Sequence, residues 1–313
     1  MKNTLVVSTY IAILVLFSNC GQNKQEVNRQ TIADKEYKTM VFKSEYREVY
    51  PEVKFENLQM IGNIGKFGVY GNEAKLLRVL RFENITNAVE MRYNLPTHLL
   101  LAMLLEESNG VELLPNGKGD GGFGWIHMQP KTALEFGLVT YKNCKGMVCD
   151  GHDSRSCKDR KGNKYDHAEE LENIIKKHHY DRKSVMTYDD RLQPLTNIDA
   201  AGRMIAYYMR SCIKELDPFE TAIARYAGAT NFRNYLADVK SNMKLLNDEE
   251  FLRKVEKTFN EKNPNLLING EHGDFASYIK ASQEQNYNYG LGEYEKLPYL
   301  MPKNSDKLLA SIQ

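Results

Sequence analysis

The segment of residues 97–110, THLLLAMLLEESNG, constrains the fold of this chain more than any other. Residues 99–105 are all apolar, so a helix over them is apolar on nearly every side. Such a helix is stable in water only when other elements cover most of its surface. Its start is predicted at residues 94–96, with Pro96 in the first turn, and its end at Asn109 and Gly110. We therefore expect a core built around this segment.

Helical periodicity extends over much of the remaining chain. Apolar residues recur at helical spacing over residues 73–92, which predicts one or two helices, and again over residues 197–213 and 218–239. The alternation of apolar and polar residues that is typical of strands is scarce. The sequence therefore predicts a mainly α fold.

The charge balance of the chain argues against some classes of partner. The chain has 313 residues, enough for one large domain or two smaller ones. It carries 42 Lys and Arg against 41 Asp and Glu, and no block of like charge dominates. Capture of nucleic acid or of an acidic membrane surface by electrostatic attraction usually needs a strongly basic patch. We therefore expect no nucleic-acid partner.

The first twenty residues predict export from the cytoplasm. Lys2 precedes an apolar stretch over residues 5–17, which is too short for a comfortable membrane span and is typical of a signal peptide. The stretch ends in Ser-Asn-Cys and resembles a bacterial lipoprotein signal, which implies removal of residues 1–19 and a lipid anchor on Cys20. Gly21, in place of an aspartate, favours an outer-membrane lipoprotein that faces the periplasm. An ordinary signal peptide and an N-terminal membrane anchor are the alternatives.

Three segments lie beside or within the predicted helical body of residues 70–245. Residues 20–60 are polar and predict a tether between the lipid anchor and this body. Residues 139–184 are charged and contain Cys and Gly, which indicates a surface insertion. Residues 246–313 are rich in Asn, Glu and Tyr and form a C-terminal extension. This extension is an appended lobe, a wrap across the body or a partly disordered tail.

Four cysteines remain once the lipidated one is set aside: Cys144, Cys149, Cys157 and Cys212. An even number of cysteines in an oxidising compartment favours disulfides, and the sequence cannot choose among the possible pairings. A zinc site formed by the first three with a nearby histidine, and free thiols, are the alternatives. Because export disfavours thiolate metal sites, we expect no metal.

Two carboxylates, Glu106 and Glu107, end the apolar helix. At 100° per residue, Glu107 lies beside Leu100, Met103 and Leu104. Burial against apolar neighbours and the negative end of the helix dipole both disfavour an ionised carboxylate at this helix end. A carboxyl group that keeps its proton near neutral pH suits a general acid. The alternative is a pair of glutamates that reach solvent from an exposed helix end.

Four segments in a fixed order resemble a known set of catalytic motifs. Glu-Ser at residues 107–108 ends the apolar helix, and GWIHMQPKTA follows a glycine-rich loop at residues 124–133. NIDAAG lies at residues 197–202 and AIARYAG at residues 222–228. Together they resemble the motifs of the soluble lytic transglycosylases, relatives of goose-type lysozyme, although the third is one residue longer. The resemblance covers residues 73–239 and implies a lysozyme-like α-helical catalytic domain with the Cys-containing stretch as an insertion.

The resemblance implies a reaction with a single acid and base. It selects Glu107 over Glu106, because Ser108 follows Glu107 as in the first motif of the family. Glu107 would protonate the oxygen between N-acetylmuramic acid and N-acetylglucosamine and then take a proton from the muramic C6 hydroxyl. The product is a 1,6-anhydro end formed without water. The implied partner is the peptidoglycan glycan strand, and no cofactor is implied.

The resemblance also implies roles for residues around the acid. Tyr226 would hydrogen-bond the catalytic carboxyl and hold it in place, and the alternative is a core tyrosine whose hydroxyl bonds elsewhere. Ser108, Gly124, His127 and Gln129 would contact the sugar. For Ser108 the alternative is a hydroxyl that bonds the backbone of its own helix.

Departures from the family pattern leave other functions open. His127 stands where the family usually has Gln, Gln129 where it often has Met, and Ala227 where it usually has Asn. Histidine becomes cationic in mild acid, which makes a sugar contact pH-dependent. The alternatives are a hydrolytic muramidase or chitinase-like enzyme that uses Glu107 with water, and a non-catalytic peptidoglycan-binding lipoprotein. Trp125 is expected in the core rather than as a platform for a sugar ring.

Overall fold

The computed structural model describes residues 72–110, 122, 124–138, 140, 177, 189–211, 213, 216–228, 232–284, 286 and 290–297. The predicted signal peptide, the lipidated Cys20, the tether of residues 20–60 and the four cysteines considered for disulfides lie outside these residues, as does nearly all of the predicted insertion. Among the helices of the described ranges, none is both long enough and apolar enough to cross a membrane.

The described part of the chain is mainly helical, as the sequence predicts. Its elements, in chain order, are α1 Asn72–Leu80, α2 Glu83–Tyr93, α3 Leu99–Glu107, α4 Pro130–Glu135, a 3-10 helix Asp190–Leu192, α5 Pro194–Met209, α6 Pro218–Ala227, α7 Phe232–Leu246, α8 Glu249–Lys262, β1 Leu267–Ile268, β2 Glu271–His272, α9 Phe275–Glu284 and α10 Leu291–Glu295. The two strands form an antiparallel hairpin. Residues 73–92 contain two helices, and residues 218–239 contain α6 and the start of α7.

The apolar helix α3 lies at the centre of the fold. Its residues 99–105 are all buried, and α1, α2, α5 and α7 pack around it. On α5, a Cβ atom added to Gly202 would come within 2.4 Å of Val89 Cγ1 on α2, so glycine permits the close approach of these helices. The predicted core around this segment is therefore confirmed.

The start of α3 differs from the prediction. The helix begins at Leu99, so Pro96 lies before the first turn rather than within it. The reason is a carboxyl group eight residues upstream of His98, that of Glu90. Glu90 of α2 accepts hydrogen bonds from the main-chain N–H groups of His98 at 2.9 Å and Leu100 at 2.6 Å. A buried side chain from a neighbouring helix thus satisfies N–H groups that would otherwise have no partner.

Glu90 makes the stability of the fold depend on pH. Burial raises the pKa of Glu90 to about 8, although hydrogen bonds from Leu100 and His98 lower it. A carboxyl that binds its proton more tightly when folded stabilises the fold below the unfolded pKa of 4.5, and this stability is lost as pH rises towards 8. The free energy of unfolding should therefore fall by on the order of 3 kcal/mol across this window because of Glu90.

Urea denaturation of the wild type and of Glu90→Gln at several pH values measures this dependence. The variant keeps a hydrogen-bond acceptor but has no titrating proton, so its unfolding free energy should change less between pH 4.5 and pH 8 than that of the wild type. The two pH dependences would run parallel if the buried carboxyl group were not the cause.

The C-terminal extension wraps across α1 in the described residues. The carbonyl oxygens of Leu80 and Arg81, at the end of α1, accept hydrogen bonds from the side chains of Gln283 at 3.1 Å and Asn286 at 2.9 Å. A second, smaller apolar cluster joins α1 to α8, the hairpin and α9; its buried members are Ala74, Leu77, Phe259, Leu266, Ile268, Tyr278 and Ala281. The described part of the extension therefore packs against the helical body.

The last described helix, α10, completes the main core. Leu291 and Tyr294 belong to the same apolar cluster as α3. The buried Asp199 of α5 accepts hydrogen bonds at Oδ1 from the hydroxyls of Tyr294 at 2.7 Å and Tyr93 at 2.9 Å, and Arg203 lies 3.3 Å from Oδ2. A buried carboxylate with several donors is well satisfied. This cluster ties the extension to the helical body.

Candidate active site

The two glutamates at the end of α3 have different surroundings. Glu106 is exposed, and its Oε2 accepts a hydrogen bond from Asn242 of α7 at 3.3 Å. Partial burial, and then the carboxylate of Asp238, raise the pKa of Glu106. The Glu107 side chain is only 14% exposed, and its Oε2 lies 3.3 Å from Nδ1 of His127. Glu107 is therefore the glutamate that the fold shelters beside another titratable side chain.

The chain after Glu107 is held by two arginines of the α1 region. Arg78 Nε donates to the carbonyl oxygen of Asn109 at 2.9 Å, and Arg81 Nη2 donates to that of Gly110 at 3.3 Å. Asn109 and Gly110 both have left-handed backbone, with φ of 53° and 70°, and this ends the helix as the sequence predicts. Cationic donors at carbonyls near a helix C-terminus are favourable, so this contact fixes the end of α3.

The chain of residues 125–128, which we call the clamped segment, is fixed through its main chain. Its four consecutive carbonyl oxygens each accept a hydrogen bond from a side chain of a different part of the fold. The donors are Ser108 Oγ to Trp125 at 2.7 Å, Asn197 Nδ2 to Ile126 at 3.2 Å, the Tyr226 hydroxyl to His127 at 3.1 Å and Arg191 Nη1 to Met128 at 2.9 Å. A segment held at every residue keeps the His127 side chain in place beside Glu107.

Two residues predicted to contact sugar, Ser108 and Gly124, are buried in this structure. Ser108 is fully buried, and its hydroxyl faces the carbonyl oxygens of Trp125 at 2.7 Å and Leu104 at 3.2 Å. Gly124 is buried with φ of 96°, and an added Cβ would come within 2.3 Å of Asn197 Nδ2. The Ser108 hydroxyl is therefore turned into the core, and Gly124 permits close packing, while a sugar contact by either residue stays a prediction.

Trp125 and Gln129 lie on either side of His127. Trp125 is fully buried, and its ring meets that of Phe82 edge-on, with ring centroids 5.5 Å apart. It is a core residue, as expected. Gln129 is half-buried and immediately precedes α4, which begins at Pro130 as predicted. A sugar contact by Gln129 stays a prediction.

A buried ion pair that the sequence reasoning missed supports the clamped segment. Arg191 and Asp189 have fully buried side chains, and Arg191 Nη2 lies 2.7 Å from Asp189 Oδ2 while its Nε donates to Asp189 Oδ1 at 3.0 Å. This two-point contact orients the guanidinium towards the carbonyl oxygen of Met128. The sequence signal is the pair of charged residues that flank Asp190 directly before an apolar helix, but spacing alone does not show that both are buried.

Two tyrosines complete the surroundings of Glu107. The hydroxyl of Tyr226 on α6 donates to the main-chain oxygen of His127, which is not the bond predicted for it, and a direct contact with Glu107 stays a prediction. The ring of Tyr235 on α7 lies 5.5 Å from that of Tyr226. Burial, and then the neighbouring Tyr226 and Glu107, raise the pKa of Tyr235 well above its usual value. Its hydroxyl is buried near Glu107, and no motif pointed to it.

The arrangement suits chemistry by one carboxyl group. Among the described residues, Glu107 has an imidazole and a phenol as polar neighbours, rather than a second carboxylate facing it. No group of three or more His, Cys, Asp or Glu side chains in the described ranges is placed to hold a metal ion. A sheltered carboxyl beside an imidazole can donate and accept a proton.

A surface groove of about 390 Å³ lies elsewhere, between α2 and α10. Its lining includes Asn87, Met91, Arg92 and Tyr294 and contains none of the residues around Glu107. The polar side chains around Glu107 contact one another and include a tyrosine with a raised pKa, and such groups indicate chemistry more strongly than concavity alone.

No protein-family model, no curated protein and no solved structure matches the chain.

Proposed function

We propose that the chain is a peptidoglycan lytic transglycosylase with a lysozyme-like catalytic domain and Glu107 as its single acid and base. One observation carries the proposal. The four segments that resemble the motifs of that family are far apart in sequence, yet Glu107, Ser108, Asn197 and Tyr226 all lie against the clamped segment. A chance resemblance of four short segments gives no reason for them to meet at one segment beside Glu107.

In the first step of the proposed reaction, Glu107 acts as an acid. Its O–H proton moves to the oxygen that joins C1 of N-acetylmuramic acid to N-acetylglucosamine, and the C1–O bond breaks with its electron pair on that oxygen. N-acetylglucosamine leaves with a free hydroxyl group. Positive charge at C1 is shared by the substrate's own N-acetyl group and by dipoles of the cleft.

In the second step, Glu107 acts as a base. Its carboxylate takes the proton of the muramic C6 hydroxyl, and the C6 oxygen forms the bond to C1 that closes the 1,6-anhydro ring. Glu107 is protonated again, and no water is consumed. This sequence needs one carboxyl group, whereas hydrolytic glycosidases usually use two.

The proposed location is the cell envelope. The signal-like residues 1–19 and Cys20 support a lipoprotein of the outer membrane that faces the periplasm, with residues 20–60 as the tether. Such an anchor would hold the catalytic domain near its substrate, the glycan strands.

Digestion of purified sacculi, followed by mass spectrometry of the released muropeptides, tests the proposed function. We expect the new muramic ends to lack the mass of one water relative to hydrolysis products. Reducing muramic ends would instead indicate a hydrolytic muramidase. Binding to sacculi without release of any product would indicate a non-catalytic wall-binding lipoprotein.

A further inference from the structure

The distance between His127 and Glu107 is long, but hydrogen bonds to the main chain around His127 hold this contact in place. Nδ1 of His127 and Oε2 of Glu107 are 3.3 Å apart, and the two side chains are 9% and 14% exposed. This distance lies just beyond the usual range of an N–H···O hydrogen bond, so the two groups are in close contact without forming a well-aligned hydrogen bond. Catalytic hydrogen bonds are often long or poorly aligned before substrate binds. The His127 main chain is held by Tyr226, and the carbonyl groups on either side of it are held by Asn197 and Arg191.

We propose that His127 is a positioning residue for Glu107, in that its Nδ1–H donates to Oε2 so that Oε1 carries the proton given to the substrate. The effect of this contact on catalysis rests on the proposed function. The tautomer of His127 that the contact requires can be measured whether or not that function is correct. A neutral imidazole has one N–H, and the nitrogen that carries it is set by the nearest acceptor. The carboxyl oxygen beside Nδ1 is such an acceptor.

A fixed donor at one carboxyl oxygen has two chemical effects. It leaves the other oxygen as the site of the acid proton, and it stabilises the carboxylate that forms when this proton has left. Without the donor, the carboxyl group can rotate, and an ionised Glu107 at 14% exposure would lose a hydrogen bond. Glutamine can supply the same N–H, whereas leucine of similar size cannot.

Histidine differs from glutamine because it can take up a second ring proton. An imidazolium next to Glu107 opposes the positive charge that develops at C1 and weakens the carboxylate as the base of the second step. The other titratable groups close to the pair in the described residues are Tyr226 from α6 and Tyr235 from α7, whereas the exposed Glu106, next to Glu107 on α3, bonds Asn242. The rate of the wild type is therefore expected to fall in mild acid.

Three full-length variants test these consequences by the rate of anhydro-muropeptide release from sacculi. At pH 7.5, His127→Gln should keep the wild-type rate within about threefold, whereas His127→Leu should lose about 10- to 100-fold. As the pH is lowered, the rate of the wild type should fall more than that of His127→Gln, because only the histidine can gain a charge beside Glu107. His272→Gln, on the exposed strand β2, is the control and should match the wild type.

A His127→Leu variant as active as the wild type, or identical pH profiles for wild type and His127→Gln, would overturn the inference.

The nitrogen NMR shifts of the imidazole rings give a readout that does not need activity. The His127 signal, assigned by its loss in His127→Gln, should show a protonated Nδ1 and a bare Nε2 at pH 7.5, and Glu107→Leu should remove this preference. A protonated Nε2 with a bare Nδ1 in the wild type would refute the inference. If the wild type releases no anhydro product, the proposed function fails, and the tautomer alone decides the role of His127.

Discussion

Replacing Glu107 with glutamine is expected to lower the rate of anhydro-muropeptide release from sacculi by about 1000-fold or more. The amide keeps the size of the side chain and a hydrogen-bonding oxygen, but it has no proton to give to the glycosidic oxygen. It also cannot accept the proton of the C6 hydroxyl. Both proposed steps therefore fail together, and the loss should appear in the turnover rate rather than in binding to sacculi.

The adjacent glutamate supplies a matched control for this experiment. Glu106→Gln makes the same chemical change one residue earlier on α3, at an exposed side chain bonded to Asn242. It should keep the rate within about threefold, because the Glu106 side chain is exposed and substitutions of exposed side chains usually have small effects. Melting temperatures of both variants, measured alongside, separate a catalytic defect from unfolding. Equal loss in the two variants, or full activity of Glu107→Gln, would exclude Glu107 as the single acid and base.

The second large effect, a loss of stability, is expected when the buried ion pair of Asp189 and Arg191 that supports the clamped segment is broken. Asp189→Ala leaves the Arg191 guanidinium without its two-point partner in a fully buried position. Removing one partner of a buried pair costs about 3–5 kcal/mol, because the remaining charge stays desolvated. The free energy of unfolding from urea titration should fall by this amount. Activity should fall as well, because Arg191 also holds Met128, next to His127.

An exposed ion pair of the same chain is the control for burial. Arg253 and Glu249 on α8 are 3.7 Å apart, and their side chains are 71% and 84% exposed. Glu249→Ala should change the free energy of unfolding by no more than about 0.5 kcal/mol, because solvent already screens this pair. If Asp189→Ala were as mild as Glu249→Ala, the buried pair could not be what supports the clamped segment.

The sequence determined the elements whose signals are local. Periodic apolar residues predicted α1, α2 and the central α3, proline marked the start of α4, and left-handed Asn109 and Gly110 ended α3. The position of Glu107 at the end of a buried helix followed from the same periodicity. These features depend on residues within a few positions of one another, so a single sequence carries enough information for them.

Only the tertiary structure decided which distant side chains surround that carboxyl group. Glu90 moved the start of α3 away from Pro96, and Ser108 turned into the core to bond Trp125. Tyr235, which no motif indicated, came to face Glu107, while Tyr294 of the extension completed the core. The physical reason is that a hydrogen bond or an ion pair between residues far apart in the chain depends on how whole helices pack, and periodicity shows which face is buried but not what it meets.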